Sequence, residues 1–151
     1  MTLLNVDVVK AVRAEVGPSF IRGVLTRAAA VPEVAARLPE GVSTVAVRLT
    51  ADKEMQRLNT TFAGEPHATD VLSFAGSAGH VGDIAISWPA TERQAAEHGH
   101  AATTELALLA VHGLLHLLGW DHTSARERKE MTRLSVEALE ESGIELAPRR
   151  L

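Results

Sequence analysis

Residues 106–122 read LALLAVHGLLHLLGWDH, which predicts a buried helix followed by a turn. We expect the helix to run from about Ala102 to Leu118, because apolar residues cover nearly every face of it and such helices lie inside a protein. His112 and His116 are four residues apart, so both rings lie on one face with Cβ atoms about 5–6 Å apart. Burying imidazole rings among leucines costs free energy unless the ring nitrogens have a bonding partner, and a metal ion can be that partner.

A third histidine follows the helix. His122 lies six residues beyond His116, and a continued helix of about 3.6 residues per turn would carry it to another face. Gly119 can end the helix in between, because glycine adopts the left-handed conformation without a steric penalty. We therefore predict that His112, His116 and His122 bind one metal ion, with water in the fourth position as in catalytic sites. Zn²⁺ is the predicted ion, although three histidines also suit nickel, copper or iron.

Composition limits the classes to which the chain can belong. It has 151 residues, no cysteine and a formal net charge of −4. The length predicts a single domain over residues 1–151, and the absence of cysteine excludes disulfides and thiolate metal sites. The sequence shows neither a signal peptide nor an apolar run of membrane-spanning length, so we expect a cytoplasmic protein without a membrane partner. The negative charge argues weakly against RNA as a partner unless positive charge is concentrated locally.

The rest of the sequence predicts strands early and helices late. This order favours an α+β fold, with helices packed on a small mixed four-stranded sheet. The predicted strands cover residues 3–9, 43–49, 71–75 and 83–87, and the last two can form a hairpin. The predicted helices cover residues 20–38 with a break at Pro32, 52–60, 89–98 and 125–141. Ser19 and Thr50 are expected as helix caps, and the tail from Ala147 is expected to be frayed.

The spacing HxxxHxxGxxH is also that of the metzincin peptidases. Those enzymes carry a glutamate directly after the first histidine, where it acts as general base. Gly113 occupies that position here. The ligand spacing therefore fits a metallopeptidase, but the missing base makes peptide hydrolysis a less favoured alternative.

The segment HGLLHLLGWDH resembles the HGxLHLxGYDH signature of the YbeY family, bacterial metal-dependent endoribonucleases also called rRNA maturation factors. Upstream, Leu58-Asn59, residues 68–74 (ATDVLSF) and residues 82–84 (GDI) resemble further segments of that family. The resemblance implies a compact α+β fold with a zinc ion in a cleft, held by the three histidines. It also implies cleavage of single-stranded RNA in rRNA 3′-end maturation and in ribosome quality control.

The sequence departs from the family pattern at two positions. Trp120 stands where the family commonly has tyrosine, and Ala63 stands where it usually has the arginine of a YRG-like segment. That arginine is thought to contact RNA or help catalysis, and Arg57 or His67 could compensate for it. Three functions stay open: an endoribonuclease, a metallopeptidase-like or other zinc hydrolase, and a non-catalytic ribosome-associated metal-binding module. The lost arginine favours the last of these.

Other polar residues have a structural as well as a functional explanation. Asp121 is a candidate catalytic residue that could orient an imidazole or act as a base, but capping the next helix or stabilising the turn explains it equally well. Turn chemistry is favoured for Asp70 and Asp83, and packing rather than base stacking for Trp120. The direction of the Ser73 side chain stays open. The remaining candidates are interpreted as solvated surface: Arg48, Lys53, Arg57, Arg93, His67, His80, His98 and His100.

Overall fold

The structure is a computed structural model that describes residues 2–151, which form four strands and six helices. The strands are β1 (Thr2–Lys10), β2 (Gly41–Thr50), β3 (Val71–Ala75) and β4 (His80–Ser87). The helices are α1 (Pro18–Ala28), α2 (Pro32–Arg37), α3 (Asp52–Ala63), α4 (Trp88–His98), α5 (Ala102–Leu117) and α6 (Ala125–Glu140). Every predicted strand and helix has a counterpart among these elements.

The strands form one mixed sheet in the order β1-β2-β4-β3. β2 is parallel to both β1 and β4, whereas β3 is antiparallel to β4. The β3–β4 pair is the predicted hairpin, in which Ser73 lies opposite Ile84. The prediction of an α+β fold with a small mixed four-stranded sheet is therefore confirmed.

Two predicted helix caps are wrong. α1 begins at Pro18 with Gly17 as its N-cap, so Ser19 already lies inside the helix. α3 begins at Asp52 with Ala51 as its N-cap, because Thr50 is still paired with Ser87 in the sheet. The predicted break at Pro32 is present, since proline at the first turn begins α2.

The leucine-rich helix α5 lies at the centre of the molecule, in contact with β3, β4, α1, α4 and α6. Leu106, Leu108 and Leu114 have no exposed side-chain surface, as the apolar sequence predicts. Gly113 allows α5 to approach the sheet closely, because a Cβ atom there would lie only 2.7 Å from Cγ2 of Ile84. The close approach sets the histidines of α5 beside Val71 of β3, which lines the same cavity.

The predicted fraying of the tail from Ala147 is wrong. The backbone N–H of Ala147 donates to Nδ1 of His100 at 3.0 Å, and the guanidinium of Arg150 pairs with Glu105 of α5. The same contacts correct the interpretation of His100 as solvated surface, since only 7 % of its side chain is exposed. Within residues 2–151, no helix combines the length and the apolar character that crossing a membrane requires.

Candidate metal centre

The turn after α5 brings the third histidine back to the helix. The helix ends with Leu118 as its C-cap, and Gly119 follows with a φ of +96°, in the left-handed region that glycine favours. The N–H of Gly119 donates to the carbonyl of His116, and that of Trp120 donates to the carbonyl of Leu115. The chain then reverses, so that the ring centroids of His116 and His122 are 5.1 Å apart.

Three side chains converge at this turn. The potential ligand atoms of His116, Asp121 and His122 all lie within 4.8 Å of one another. His112 lies outside this group but lines the same cavity as the other two histidines. Imidazole nitrogens and a carboxylate oxygen are donors that zinc binds in proteins, so the group fits a zinc ion by its chemistry.

The electrostatics of the histidines suit a cation. Burial, together with the nearby positive charge of Arg150, lowers the pKa of His112 to about 4. The pKa of His116 is also lowered, first by burial and then by His122. Both rings are therefore unprotonated near neutral pH, and a nitrogen lone pair of each is available for a ligand bond. The charge of Asp121 and the nearby backbone of Trp120 offset part of this lowering of the His116 pKa.

The histidines open onto a cavity of about 450 Å³. Its walls also carry charged side chains that sequence reasoning did not assign to a site, namely Asp70, Arg128 and Arg150. Asp70 performs the predicted turn chemistry as well, because its carboxylate accepts from the N–H of Val71 at 2.8 Å and from Nε2 of Gln94 at 3.1 Å. The lining of the cavity thus combines three imidazole rings with two guanidinium groups.

These residues lie in a chain whose relatives are known. The family model described as Endoribonuclease YbeY matches residues 10–143. The chain belongs to the YbeY endoribonuclease family. A relative named Endoribonuclease YbeY from Chloroflexus aurantiacus is 49% identical over 109 residues, covering 64% of this chain and 70% of the relative. Another with that name, from Roseiflexus castenholzii, is 37% identical over 151 residues, covering 93% of this chain and 89% of the relative.

A solved structure has a fold similar to that of this chain. The solution structure of a Thermotoga maritima protein matches the whole chain with a TM-score of 0.59 and 22% sequence identity, and the match covers 100% of both chains. The predicted family and the predicted class of enzyme, a hydrolase, are confirmed by the family match and by the named relatives.

Packing explains why this YbeY chain lacks the glutamate of a metzincin. The position after the first histidine is Gly113, where even a Cβ atom would collide with the side chain of Ile84. A glutamate there would have to displace β4. The peptidase alternative therefore has neither its general base nor the space for one at this position.

Three further predicted candidates take part in structural contacts. The hydroxyl of Ser73 donates to the carbonyl of Gly113 at 3.1 Å, so it faces α5. The carboxylate of Asp83 contacts His80. Trp120 is buried, with its indole N–H donating to Glu130 and Arg37 stacked 3.7 Å from the ring centroid, which agrees with the packing interpretation.

The predicted basic candidates do not line the cavity of the histidines. Arg48 and Arg57 pair with Glu54, and Arg93 pairs with Asp52. His67 is exposed and lies beside Glu65. The substitutes considered for the family's arginine, Arg57 and His67, are therefore held elsewhere.

Sequence reasoning missed Arg150 because the tail was expected to be frayed. One signal was present: Glu105 is a carboxylate in an otherwise apolar helix, seven residues before His112 and hence close to the same face. A buried carboxylate requires a partner, which could have been sought among the arginines.

Proposed function

We propose that this protein is a metal-dependent endoribonuclease that cleaves single-stranded RNA. The observation that carries the proposal is the convergence of His116, Asp121 and His122 within 4.8 Å in a chain of the YbeY family. The relatives carry the name endoribonuclease, which supports RNA as the substrate. We assign the protein to rRNA 3′-end maturation and ribosome quality control in the cytoplasm, acting as a single domain over residues 1–151.

We propose that His112, His116 and His122 hold one Zn²⁺ ion. A bound zinc ion supplies Lewis-acid polarisation of a phosphate oxygen and makes water a stronger acid. The contribution of the three imidazoles is to present neutral nitrogens, which burial favours at His112 and His116.

Asp121 is proposed as the catalytic carboxylate. It accepts a hydrogen bond from the N–H of His122 at 2.7 Å, which holds the carboxylate beside the histidines. The side chain is exposed, so one oxygen can still accept a proton from water or from a ribose 2′-hydroxyl. This position suits a general base better than Gly113, which offers no side chain.

The decisive experiment combines metal analysis with RNA cleavage. Zinc content and cleavage of a structured rRNA fragment are measured on the same samples of wild type and of His112→Ala. We expect about one zinc ion per wild-type chain, and loss of both zinc and cleavage in the variant. His98→Ala is the matched control, because His98 lies at the end of α4 outside the cavity. Full cleavage by His112→Ala without bound zinc would contradict the proposal.

A non-catalytic, ribosome-associated role is the second candidate, favoured by Ala63. This residue is exposed at the end of α3, beside Phe62, whose ring contacts Phe74. Ala63→Arg restores a cation at that position without displacing a buried group. A large gain in cleavage supports a weakened nuclease, whereas unchanged cleavage near background favours the binding role.

A further inference from the structure

The histidine face of α5 continues towards the N-terminus of the helix. Glu105, Leu109, His112 and His116 follow one another at intervals of four, three and four residues, the spacing of one helix face. The last three line the cavity of about 450 Å³. Glu105 therefore lies at the far end of the same face, about two turns from His112.

Glu105 anchors an arginine at that end of the cavity. Its side chain has no exposed surface, yet both carboxylate oxygens are paired with Arg150. Nε of Arg150 donates to Oε1 at 2.9 Å and Nη2 donates to Oε2 at 2.6 Å, a two-point contact that fixes the plane of the guanidinium. The buried carboxylate thus determines where Arg150 lies and which edge of it stays free.

The tail that carries Arg150 is held by a second contact. Nδ1 of His100 accepts from the N–H of Ala147 at 3.0 Å, so its Nε2 is the atom that donates to Oε1 of Glu105 at 2.7 Å. His100 therefore connects the same carboxylate to the backbone of the tail. Contacts therefore hold both the side chain of Arg150 and the backbone of the tail that carries it.

Arg150 lines the cavity and has donors that its contacts with Glu105 leave unused. Its guanidinium has more N–H donors than the contacts with Glu105 use, and within residues 2–151 no hydrogen bond involves Nη1. The side chain is 15 % exposed and lines the cavity with the histidines. A mostly buried, planar guanidinium with unused N–H donors is suited to phosphate oxygens, which accept charge-assisted hydrogen bonds.

We propose that Arg150 binds a phosphate group of the RNA strand in the cavity of the histidines. The inference rests on the proposed function, because it takes RNA as the ligand. Arg150 lies beyond the residues 10–143 that the family model matches. The tail would thus contribute a phosphate contact to the cavity that His116 and His122 also line.

The test measures RNA binding without the metal, so that it does not depend on turnover. Full-length, metal-free protein is titrated with a fluorescent single-stranded oligoribonucleotide at several salt concentrations. Loss of one phosphate contact reduces the slope of log affinity against log salt by about 0.7 for a single strand. We expect this reduction for Arg150→Gln, with affinity at low salt lowered about tenfold or more.

Arg149→Gln is the matched control. It removes the same charge from the adjacent residue, which is exposed and lies outside the cavity. We expect it to keep the wild-type slope. Equal slopes for Arg149→Gln and Arg150→Gln, whether both are reduced or both unchanged, would overturn the proposal.

A second measurement covers the case in which Arg150→Gln merely releases the tail. The Nε–H resonance of Arg150 is followed by NMR in the wild type as RNA is added, and we expect it to shift. If the RNA binds while this resonance stays unchanged, the proposal is overturned even if the variant binds weakly. If the wild type cleaves RNA with zinc but Arg150 fails these criteria, only this inference falls; if the wild type binds no RNA, the proposed function falls with it.

Discussion

The polar side chains at the two ends of α5 lie in opposite environments. At the C-terminal end, His112 and His116 border the cavity together with His122 from the following turn. At the N-terminal end, Glu105 is fully enclosed and is neutralised within the protein by Arg150, with a further hydrogen bond from His100. One helix face thus carries histidine nitrogens that border the cavity at one end and a carboxylate enclosed in an ion pair at the other.

The pKa values show the same contrast. Burial lowers the pKa of His112 to about 4, which keeps its nitrogens free of protons and able to receive a cation. Burial acts most strongly at Glu105 too and raises the pKa there, but hydrogen bonds from Arg150 and His100 outweigh it and leave a net lowered pKa. His112 is therefore neutral near neutral pH, whereas Glu105 keeps its charge because its partners are built into the chain.

Breaking the histidine end is expected to have the largest effect. His116→Ala removes a proposed ligand, so zinc is lost and RNA cleavage falls at least about 100-fold, which is the upper end of what losing a ligand's supporting contact costs. Zinc content and cleavage rate are measured beside urea unfolding, with His98→Ala as the control. Near-normal cleavage and zinc content in His116→Ala would show that the histidines at this end of α5 do not form the metal site.

Breaking the glutamate end is expected to act on stability instead. Glu105→Gln removes the charge from the contact with Arg150 and lowers the free energy of unfolding by about 1.5–3 kcal/mol, the usual contribution of a hydrogen bond to a charged group. Glu92→Gln, on the exposed side of α4, is the control. An unchanged urea midpoint for Glu105→Gln would mean that the ion pair contributes no net stability.

The same variant makes a pH prediction. Because the folded-state pKa of Glu105 is lowered from its ordinary 4.5, its stabilising effect is complete above that value and is lost as pH falls through the folded-state pKa. We therefore expect the stability difference between wild type and Glu105→Gln to be constant from about pH 6 to 7 and to shrink below about pH 4.5. A difference that grows towards acid pH would contradict the lowered pKa.

Local signals explain what could be predicted from the sequence. The apolar run of α5 and the position of Gly119 predicted the buried helix and its end, because both depend on residues close in the chain. The pairing of Glu105 with Arg150 joins residues 45 positions apart, and that of Ala147 with His100 joins residues 47 apart. No local pattern marks such pairs, so the tail was wrongly expected to be frayed.

The candidate site divides in the same way. The motif named all four residues: the ligand atoms of His116, Asp121 and His122 lie within 4.8 Å of one another because the turn is short, and His112 lines the same cavity outside that group. Asp70 reaches the cavity only because β3 packs beside α5, a contact that follows from the whole sheet topology. Neighbours in a motif can be read from the sequence, whereas walls contributed by distant elements require the fold.

The turn after α5 is tested by a substitution at Gly119. Gly119→Ala places a Cβ at a φ of +96° with no heavy atom closer than 3.6 Å, so strain rather than a collision costs about 1–2 kcal/mol. We also expect zinc affinity to fall about tenfold, because the turn that positions His122 shifts. Gly143→Ala is the matched control: its φ of +67° lies in the same region, at the end of α6 and outside the cavity.

The smallest effect is expected at Arg37, which holds the turn from outside. Its Nη1 donates to the carbonyl of Leu118 at 3.3 Å, and its guanidinium lies 3.7 Å from the centroid of Trp120. Arg37→Gln keeps an amide donor but loses the cation, so the free energy of unfolding should fall by about 0.5–1 kcal/mol. Arg126→Gln, in the exposed first turn of α6, is the control.

Zinc affinity decides what the Arg37 contact does for the histidine end. If Gly119 alone sets the conformation of the turn, we expect the zinc affinity of Arg37→Gln to stay within about twofold of wild type. A twofold change in affinity corresponds to less than about 1 kcal/mol. A loss as large as that in Gly119→Ala would mean that the turn depends on Arg37 of α2. The histidine end of α5 would then depend on a contact from a distant element, as the glutamate end already does through Arg150.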